Sequence, residues 1–227
     1  MIETAIVLIA AHLIADFWLQ TDELVQKKDK PRWLALHGLV HAALAYVLMQ
    51  AWADWLLPIF VFAGHVGIDY VKQKCRDTVR VFIADQAAHF MFLAGLAWLL
   101  TDWEVLDSFS GHGYTLIVTA GGLVGTVRGA GFLIGKITTK LKEENSLDLD
   151  GLKDGGKLIG ELERALIFVF IFIGQPGGIG FLVAAKSILR FQEAKDQKLA
   201  EYVLIGTLLS FSLAIAIASA AKWALAL

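Results

Sequence analysis

The sequence is poor in cysteine and in charge, and each shortage excludes a class of protein. Its single cysteine, Cys75, excludes a disulfide within the chain and a metal cluster held by several thiolates. Only 19% of the residues are charged and the formal net charge is −2, so we expect no nucleic-acid partner. The first apolar run lacks the basic segment and small-residue cleavage site of a signal peptide, and we expect it to remain as a span.

Apolar residues dominate instead, at 57% of the chain with a mean hydropathy of +0.62. Six apolar runs approach the ~20 residues that cross a bilayer as a helix, and two shorter apolar arms flank Gln175. The sequence therefore predicts an all-α integral membrane protein, a helical bundle of seven to eight hydrophobic segments. The six longer runs are Ile2–Leu19, Trp33–Trp52, Trp55–Val71, Val81–Leu100, Tyr114–Ile137 and Tyr202–Trp223.

Basic residues cluster in alternate loops, which predicts the orientation of the chain. The loops Gln50–Asp54 and Thr101–Gly113 contain no lysine or arginine, whereas the loops after the first, third and fifth runs do. By the positive-inside rule the basic loops are cytoplasmic and the N-terminus lies outside. The basic residues are Lys27, Lys28, Lys30 and Arg32, then Lys72, Lys74, Arg76 and Arg80, then Lys136, Lys140 and Lys142.

The first four runs each carry two metal-ligand-type residues spaced four apart, which places both on one helix face. Counting ~1.5 Å per residue from the cytoplasmic ends, one member of each pair lies roughly 6 Å deep and the other roughly 10–12 Å deep. The pairs therefore form two layers at matched depth and predict a shared site that opens toward the cytoplasm. They are His12 and Asp16, His37 and His41, His65 and Asp69, and Asp85 and His89.

Imidazole and carboxylate groups together suit Zn, Mn or Fe. Eight candidate ligands exceed one tetrahedral site, so either two divalent ions bind or some of the eight orient the ligands. One carboxylate among Asp16, Asp69 and Asp85 that does not contact metal would be the general base for attack by water. Further residues are expected to orient ligands or to bind substrate: Gln20, Lys72, Gln86, Glu161, Arg164, Lys186 and Arg190.

The same patterns divide the chain in two. Residues 1–100 are predicted to form the His/Asp-rich four-helix bundle, and residues 101–227 to add a Gly-rich span, a hairpin and a C-terminal span. A cytoplasmic linker is expected at about 141–157, and the short helical hairpin at about 158–190. Around this hairpin the charged residues are expected to pair with one another, with binding of lipid phosphate by Lys186 and Arg190 as the alternative. They are Glu161, Glu163, Arg164, Lys186 and Arg190.

The motifs of both halves resemble a family of bacterial multi-pass membrane proteins defined by a domain of unknown function. The motifs are His12-x-x-x-Asp16-Phe-x-x-Gln20, His37-x-x-x-His41, His65-x-x-x-Asp69-x-x-Lys72, Asp85-Gln86-x-x-His89 and Ile159-Gly-Glu-Leu-Glu-Arg164. The resemblance implies a location in the bacterial cytoplasmic (inner) membrane. The first 90 residues are also distantly similar to predicted membrane-bound metal-dependent hydrolases.

Three functions fit these features. The first is a metal-dependent hydrolase acting on a small-molecule or lipid substrate, with a phosphate-containing lipid as the expected case. The second is a transporter of protons or divalent cations, in which the broken arms around Gln175–Gly178 form a gate. The third is a membrane scaffold fixed by a polar network. Membrane lipid is an expected partner in each case, and a homo-oligomer is compatible with all three.

Overall fold

The computed structural model describes residues 1–27, 30–105, 111–146, 154–190 and 197–227, and every regular element in these ranges is helical. The predicted all-α fold is therefore confirmed. Lys28, Asp107 and the centre of the predicted linker, residues 147–153, lie outside the described residues. In chain order the helices are α1 (Ile2–Ile14), α2 (Asp22–Lys27), α3 (Pro31–Met49), α4 (Leu56–Lys72), α5 (Val79–Asp102), α6 (His112–Val124), α7 (Ala130–Asn145), α8 (Gly155–Phe172), α9 (Gly177–Arg190) and α10 (Gln197–Ala224).

Two π-helical turns interrupt the α-helical pattern: Ala15–Leu19 continues α1, and Gly125–Gly129 joins α6 to α7. Five helices in the described ranges are long and apolar enough to cross a membrane, which suggests a membrane protein. Helix α4, with 17 residues, and the charge-bearing α8 are not among the five. The larger count of seven to eight segments and the outside N-terminus stay predictions. The five are Ile2–Leu19, Pro31–Met49, Val79–Asp102, His112–Asn145 and Gln197–Ala224.

The chain divides into two compact units, of which the first comprises Met1–Val124 with Ala224–Leu227. In this unit α1, α3, α4 and α5 pack as a bundle, and α6 packs against α1. Val7, Leu8, Leu57 and Leu100 are fully or almost fully buried at its centre. Their burial away from solvent supplies the apolar surroundings in which the polar residues of the same helices meet.

Helix α2 occupies part of what the sequence predicts as a basic loop. The Leu24 amide donates a hydrogen bond to the Thr21 hydroxyl, which caps the helix start. One turn apart, the Lys27 ammonium donates to the Glu23 carboxylate, and this hydrogen bond lowers the pKa of Glu23. A cap and an ion pair within six residues therefore make a short helix where the charge pattern alone indicates a loop.

The predicted linker is shorter than about 141–157 because helices enter it from both sides. Helix α7 continues to Asn145, supported by the Lys140–Glu144 ion pair at 3.6 Å, and ends where Ser146 takes a left-handed φ of 51°. Helix α8 already begins at Gly155. The i, i+4 pairing of oppositely charged residues explains why a polar segment is helical here.

The second unit, Gly125–Trp223, is built from the second π turn and α7 to α10. Helices α8 and α9 pack against each other as a hairpin. The connecting turn needs a glycine, because Gly174 has φ +72°, and it is closed by a 2.8 Å hydrogen bond from the Gln175 amide to the Phe170 carbonyl. Ile167, Ile179, Phe211 and Ala214 form the apolar core of this unit.

Arg164 is a buried charged residue of the second unit, with 5% of its surface exposed. Its Nε donates to the Val127 carbonyl in the π turn at 2.9 Å, and Nη1 donates to the Ser210 hydroxyl at 3.3 Å. Gly131 and Gly160 leave room for the guanidinium, since an added Cβ would lie 2.6 Å and 2.9 Å from its nitrogens. The side chain thus connects α8 to the π turn and to α10.

The expected pairing of charges around the hairpin is present for Lys186, whereas Glu161 and Arg164 have partners outside the expected set. Lys186 pairs with Glu163 at 2.7 Å, and Glu161 lies 3.7 Å from Arg128. Arg164 contacts a backbone carbonyl and a hydroxyl instead of a carboxylate, because the glycines beside it bring helix backbones close. The side chain of Arg190 lies outside the described residues.

We expect Arg164→Ala to lower the free energy of unfolding by about 2–3 kcal/mol, because it removes two hydrogen bonds from a charged donor and the packing of the side-chain stem. Ser210→Ala is expected to cost about 1 kcal/mol. Arg128→Ala is the matched control, since its pair is half exposed and contributes at most about 1 kcal/mol. Thermal unfolding in detergent measures all three. Equal effects for Arg164→Ala and Arg128→Ala would contradict a connecting role for Arg164.

Candidate functional site

Four helices of the first unit bring the eight predicted ligand residues together. Helix α1 and its π turn carry His12 and Asp16, and α3, α4 and α5 each carry one further pair. Seven of the eight residues are buried, and Asp16 exposes 9% of its side chain. The arrangement is one continuous cluster, to which we refer as the His/Asp cluster: His12, Asp16, His37, His41, His65, Asp69, Asp85 and His89.

The imidazoles of the cluster lie in contact with one another, including the four that the sequence predicts in the deeper layer, His12, His41, His65 and His89. The rings of His41 and His65 stack with centroids 3.5 Å apart and planes at 21°. His89 lies 4.4 Å from His65 and 4.7 Å from His12. Two positive charges at such separations are strongly unfavourable in a buried site. The stacked rings are therefore suited to the neutral form, in which each imidazole offers one nitrogen lone pair.

Asp16 is the carboxylate on which the imidazole nitrogens converge. Its Oδ1 lies 3.1 Å from His37 Nε2 and 3.2 Å from His41 Nε2, and its Oδ2 lies 3.5 Å from His12 Nε2. A nitrogen lone pair that faces a carboxylate oxygen is repelled unless a proton or a cation lies between them. Asp16 stands in the π turn Ala15–Leu19, a type of irregularity that frequently occurs at functional sites.

Two groups within the cluster have ligand atoms close enough to share an ion, with all atoms of a group within 4.8 Å of one another. His65 belongs to both groups. His12 and Asp85 belong to neither, although both are buried beside them. The first group is Asp16, His37, His41 and His65, and the second is His65, Asp69 and His89.

The orientation of His89 supports a ligand role. Its Nδ1 lies 3.0 Å from the backbone carbonyl oxygen of Asp85, which can only accept, so Nδ1 carries the proton. The Nε2 atom then presents its lone pair, and it is buried without a hydrogen-bond partner among the described residues. The Nε2 atom of His65 is likewise buried without a hydrogen-bond partner among the described residues. Unpartnered buried nitrogens are costly, and a cation between them and the carboxylates would satisfy them.

A cavity of about 10 Å³ adjoins the imidazoles of His12, His41, His65 and His89. It is about the size needed for one water molecule. Leu8, Val61, Phe92 and Leu93 contribute apolar walls. Phe92 reaches this position because Gly64 has no side chain, since an added Cβ would lie 2.1 Å from the ring. The spacing of the histidines in the sequence did not predict that Phe92 would lie beside Gly64. The only indication in the sequence was that Gly64 directly precedes His65.

Asp85 has a different environment from the other two carboxylates. Its Oδ2 accepts hydrogen bonds from Lys72 Nζ at 2.6 Å and from Gln86 Nε2 at 3.3 Å. Gln86 also donates to Asp16 Oδ2 at 3.2 Å, and its Oε1 lies 3.4 Å from His12 Nε2. Gln86 therefore connects Asp85 to Asp16, and Lys72 neutralises the charge of Asp85.

The His/Asp cluster has an acidic balance of ionisable groups. Three carboxylates and the Lys72 ammonium leave a net charge of −2 when the imidazoles are neutral. A buried charge of this size is expensive unless it is compensated. One divalent cation would balance it, and the nitrogen and oxygen donors present are those that Zn, Mn and Fe accept. The residues of the cluster thus fit a divalent metal ion.

The remaining predicted residues lie elsewhere. Gln20 is half-buried at the end of the first π turn, where its backbone is extended. Glu161, Arg164 and Lys186 belong to the second unit and make the contacts described above. The structure therefore groups Lys72 and Gln86 with the His/Asp cluster, and it gives the three residues of the second unit their own partners.

The fold and the cluster define an all-helical protein with membrane-length apolar helices and a buried candidate metal centre. Residues 4–110 match the model of a family described as "Protein of unknown function (DUF3307)", and this segment includes every residue of the His/Asp cluster. Comparison with curated proteins and with solved structures gives no match. The bacterial origin and the likeness to membrane-bound hydrolases stay predictions.

Proposed function

We propose that the protein is a metal-dependent membrane hydrolase and that the His/Asp cluster is its metal centre. The observation that carries the proposal is the meeting of five buried imidazoles and three carboxylates from four helices, with the Nε2 atoms of His65 and His89 lacking a hydrogen-bond partner among the described residues. The two groups that share His65 would hold the metal, as one or two divalent ions of Zn, Mn or Fe. A divalent ion so bound acidifies water and polarises a carbonyl or phosphoryl oxygen, which is the chemistry of hydrolysis.

The three carboxylates would have different roles in the reaction. Asp85 lies beside Nδ1 of His89, on the opposite side of the ring from Nε2, and would orient that ring. The general base is then drawn from Asp16 and Asp69, whichever oxygen is left without metal contact. This base would take one proton from water as the hydroxyl oxygen bonds to the acyl or phosphoryl centre. The bond from that centre to the leaving-group oxygen would break, and the proton would pass from the base to that oxygen.

The apolar walls of the site favour hydrolysis over transport. Beyond the imidazoles the cavity is bounded by Leu8, Val61 and Leu93, and Leu57 and Leu100 are fully buried in the same core. A transporter needs a polar path on both sides of its ion site. The described residues on this side of the cluster supply an apolar barrier instead.

The location of the site follows from the pattern of basic loops. We propose a multi-pass protein of a bacterial inner membrane with an outside N-terminus, so that Asp16 and Lys72 face the cytoplasm. The bundle of residues 1–100 would carry the chemistry and residues 101–227 would anchor it among lipids. The substrate would be a small molecule or lipid that is amphipathic, since the site lies among helices suited to a membrane.

Elemental analysis tests the proposal, using protein purified in detergent without chelator beside the variant His41→Ala, His89→Ala. We expect Zn, Mn or Fe in stoichiometric amount in the native protein, and a variant that keeps its helical circular dichroism spectrum but has lost the metal. His112→Ala is the matched control, because His112 is exposed and lies outside the cluster. A metal-free native protein would favour the proton-coupled transporter, and an unfolded variant would favour the scaffold.

A further inference from the structure

We propose that Lys72 recognises the substrate of this site and that the group it binds is an anionic phosphate. In the substrate complex the ammonium would transfer its hydrogen bond from Asp85 to a phosphoryl oxygen. The inference rests on the proposed function, since it assigns the substrate class of the same site.

Lys72 is placed between the buried cluster and the surface. It is the last residue of α4, and 33% of its side chain is exposed, against 2% for the Asp85 carboxylate that it contacts. Asp16, the cluster member with the most exposed side chain among the paired groups, exposes only 9%. A ligand that approaches the cluster from solvent or from the headgroup region therefore meets the ammonium of Lys72 first.

Asp85 would not be left without donors if the ammonium moved. Gln86 Nε2 donates to the same oxygen, Oδ2, at 3.3 Å. The flexible stem of lysine lets its ammonium change partners without movement of the backbone. The Lys72 ammonium can thus exchange Asp85 for a ligand oxygen, whereas the buried histidines are held in place by packing.

The chemistry of the ligand follows from the charges. The positive groups that a ligand would meet are the Lys72 ammonium and the proposed divalent ion, so a cationic ligand would be repelled by both, and a neutral ligand would gain little from the ammonium. A phosphate carries several non-bridging oxygens, so one can accept a hydrogen bond from Lys72 while another faces the proposed metal ion. A phosphate ester is therefore the anion best able to contact the Lys72 ammonium and the proposed metal ion at the same time.

Apolar side chains lie next to the polar ones in sequence at the same helix ends. Trp18 and Leu19 come just after Asp16, Val71 precedes Lys72, and Ile83 precedes Asp85 by two residues. All four are exposed. Such a border around a phosphate-binding residue suits an ester with acyl chains, although free phosphate would share the same polar contacts.

Phosphorus-31 NMR of zinc-loaded protein in detergent tests the inference. The probes are inorganic phosphate and dihexanoyl phosphatidic acid, whose line widths report binding, with dihexanoylglycerol as a phosphate-free competitor. Each is titrated against native protein, Lys72→Met, Lys72→Arg and the matched control Lys74→Met. Lys74 is in the same segment, but its ammonium lies over the Tyr70 ring at 4.1 Å and away from the cluster contacts.

We expect both phosphate probes to bind, Lys72→Met to weaken binding about tenfold or more, and Lys72→Arg to retain most of it. Lys74→Met should bind like the native protein. Tighter binding of phosphatidic acid identifies a lipid headgroup, and equal binding identifies free phosphate. Unchanged binding in Lys72→Met, or equally strong competition by dihexanoylglycerol, overturns the inference. Zinc retained without phosphate binding refutes Lys72 recognition alone, whereas failure to load zinc refutes the metal centre.

Discussion

His65→Gln is expected to abolish metal binding, whereas His12→Gln is expected to weaken it only moderately. His65 belongs to both groups of ligand residues, so its loss removes a donor from each. His12 is equally buried and stacks 4.7 Å from His89, but it belongs to neither group. Residues outside the ligand set typically change metal affinity by roughly 10–100-fold, and we expect His65→Gln to exceed that range. Competition with a chromophoric zinc chelator measures both affinities.

Glutamine retains a polar side chain at either position, so the comparison isolates the imidazole nitrogen. Circular dichroism of both variants controls for loss of helix. If His12→Gln lost as much affinity as His65→Gln, the ligand set would not be the two groups described here, and His12 would belong to the metal centre.

Gly121→Val is expected to destabilise the first unit by about 3 kcal/mol, and Gly121→Ala by about 1–3 kcal/mol. At Gly121 an added Cβ would lie 2.5 Å from the Cβ of Ala10 and 2.8 Å from its Cα, so α1 and α6 would have to move apart. Close approach at small residues is a common basis of helix packing in membranes. Because Ala10 lies two residues before His12 of the His/Asp cluster, we expect metal affinity to fall as well. Thermal unfolding with and without added zinc measures both effects.

Gly95→Ala provides the matched control in the same unit. Gly95 lies in α5 with nothing within 4 Å of an added Cβ. Alanine is favoured over glycine within a helix, so this variant should be more stable by about 0.5–1 kcal/mol. A destabilised Gly95→Ala variant, or a Gly121→Val variant of unchanged stability, would show that the space beside the helix does not determine the effect of substituting these glycines.

Much of the cluster was predictable because it depends on local geometry. Residues four apart on a helix share a face in any tertiary arrangement, so His37 and His41 were bound to point together once the helix was identified. Apolar runs of membrane length identify helices reliably by composition. Matched distances from the helix ends then placed His12, His41, His65 and His89 in one layer, and these four rings do contact one another.

The partners of individual residues were not predictable in the same way. Lys72 and Asp85 are on different helices, and their 2.6 Å contact depends on the side-by-side packing of α4 and α5. The π turn at Asp16 has no signal in the apolar pattern, because one widened turn leaves hydropathy unchanged. Likewise Arg164 was expected to meet a carboxylate, yet Gly131 on α7 and Gly160 on its own helix leave room for it to reach a carbonyl.

The sequence by itself determined the helical class, the membrane-length apolar runs and the set of imidazole and carboxylate groups that share helix faces, since each follows from composition and from the period of one helix. Only the tertiary structure decided which of those groups lie within reach of a common ion, and which carboxylate is neutralised by lysine. The physical reason is that hydrogen bonds and metal coordination depend on distances of a few tenths of an ångström between different helices, and those distances are set by packing.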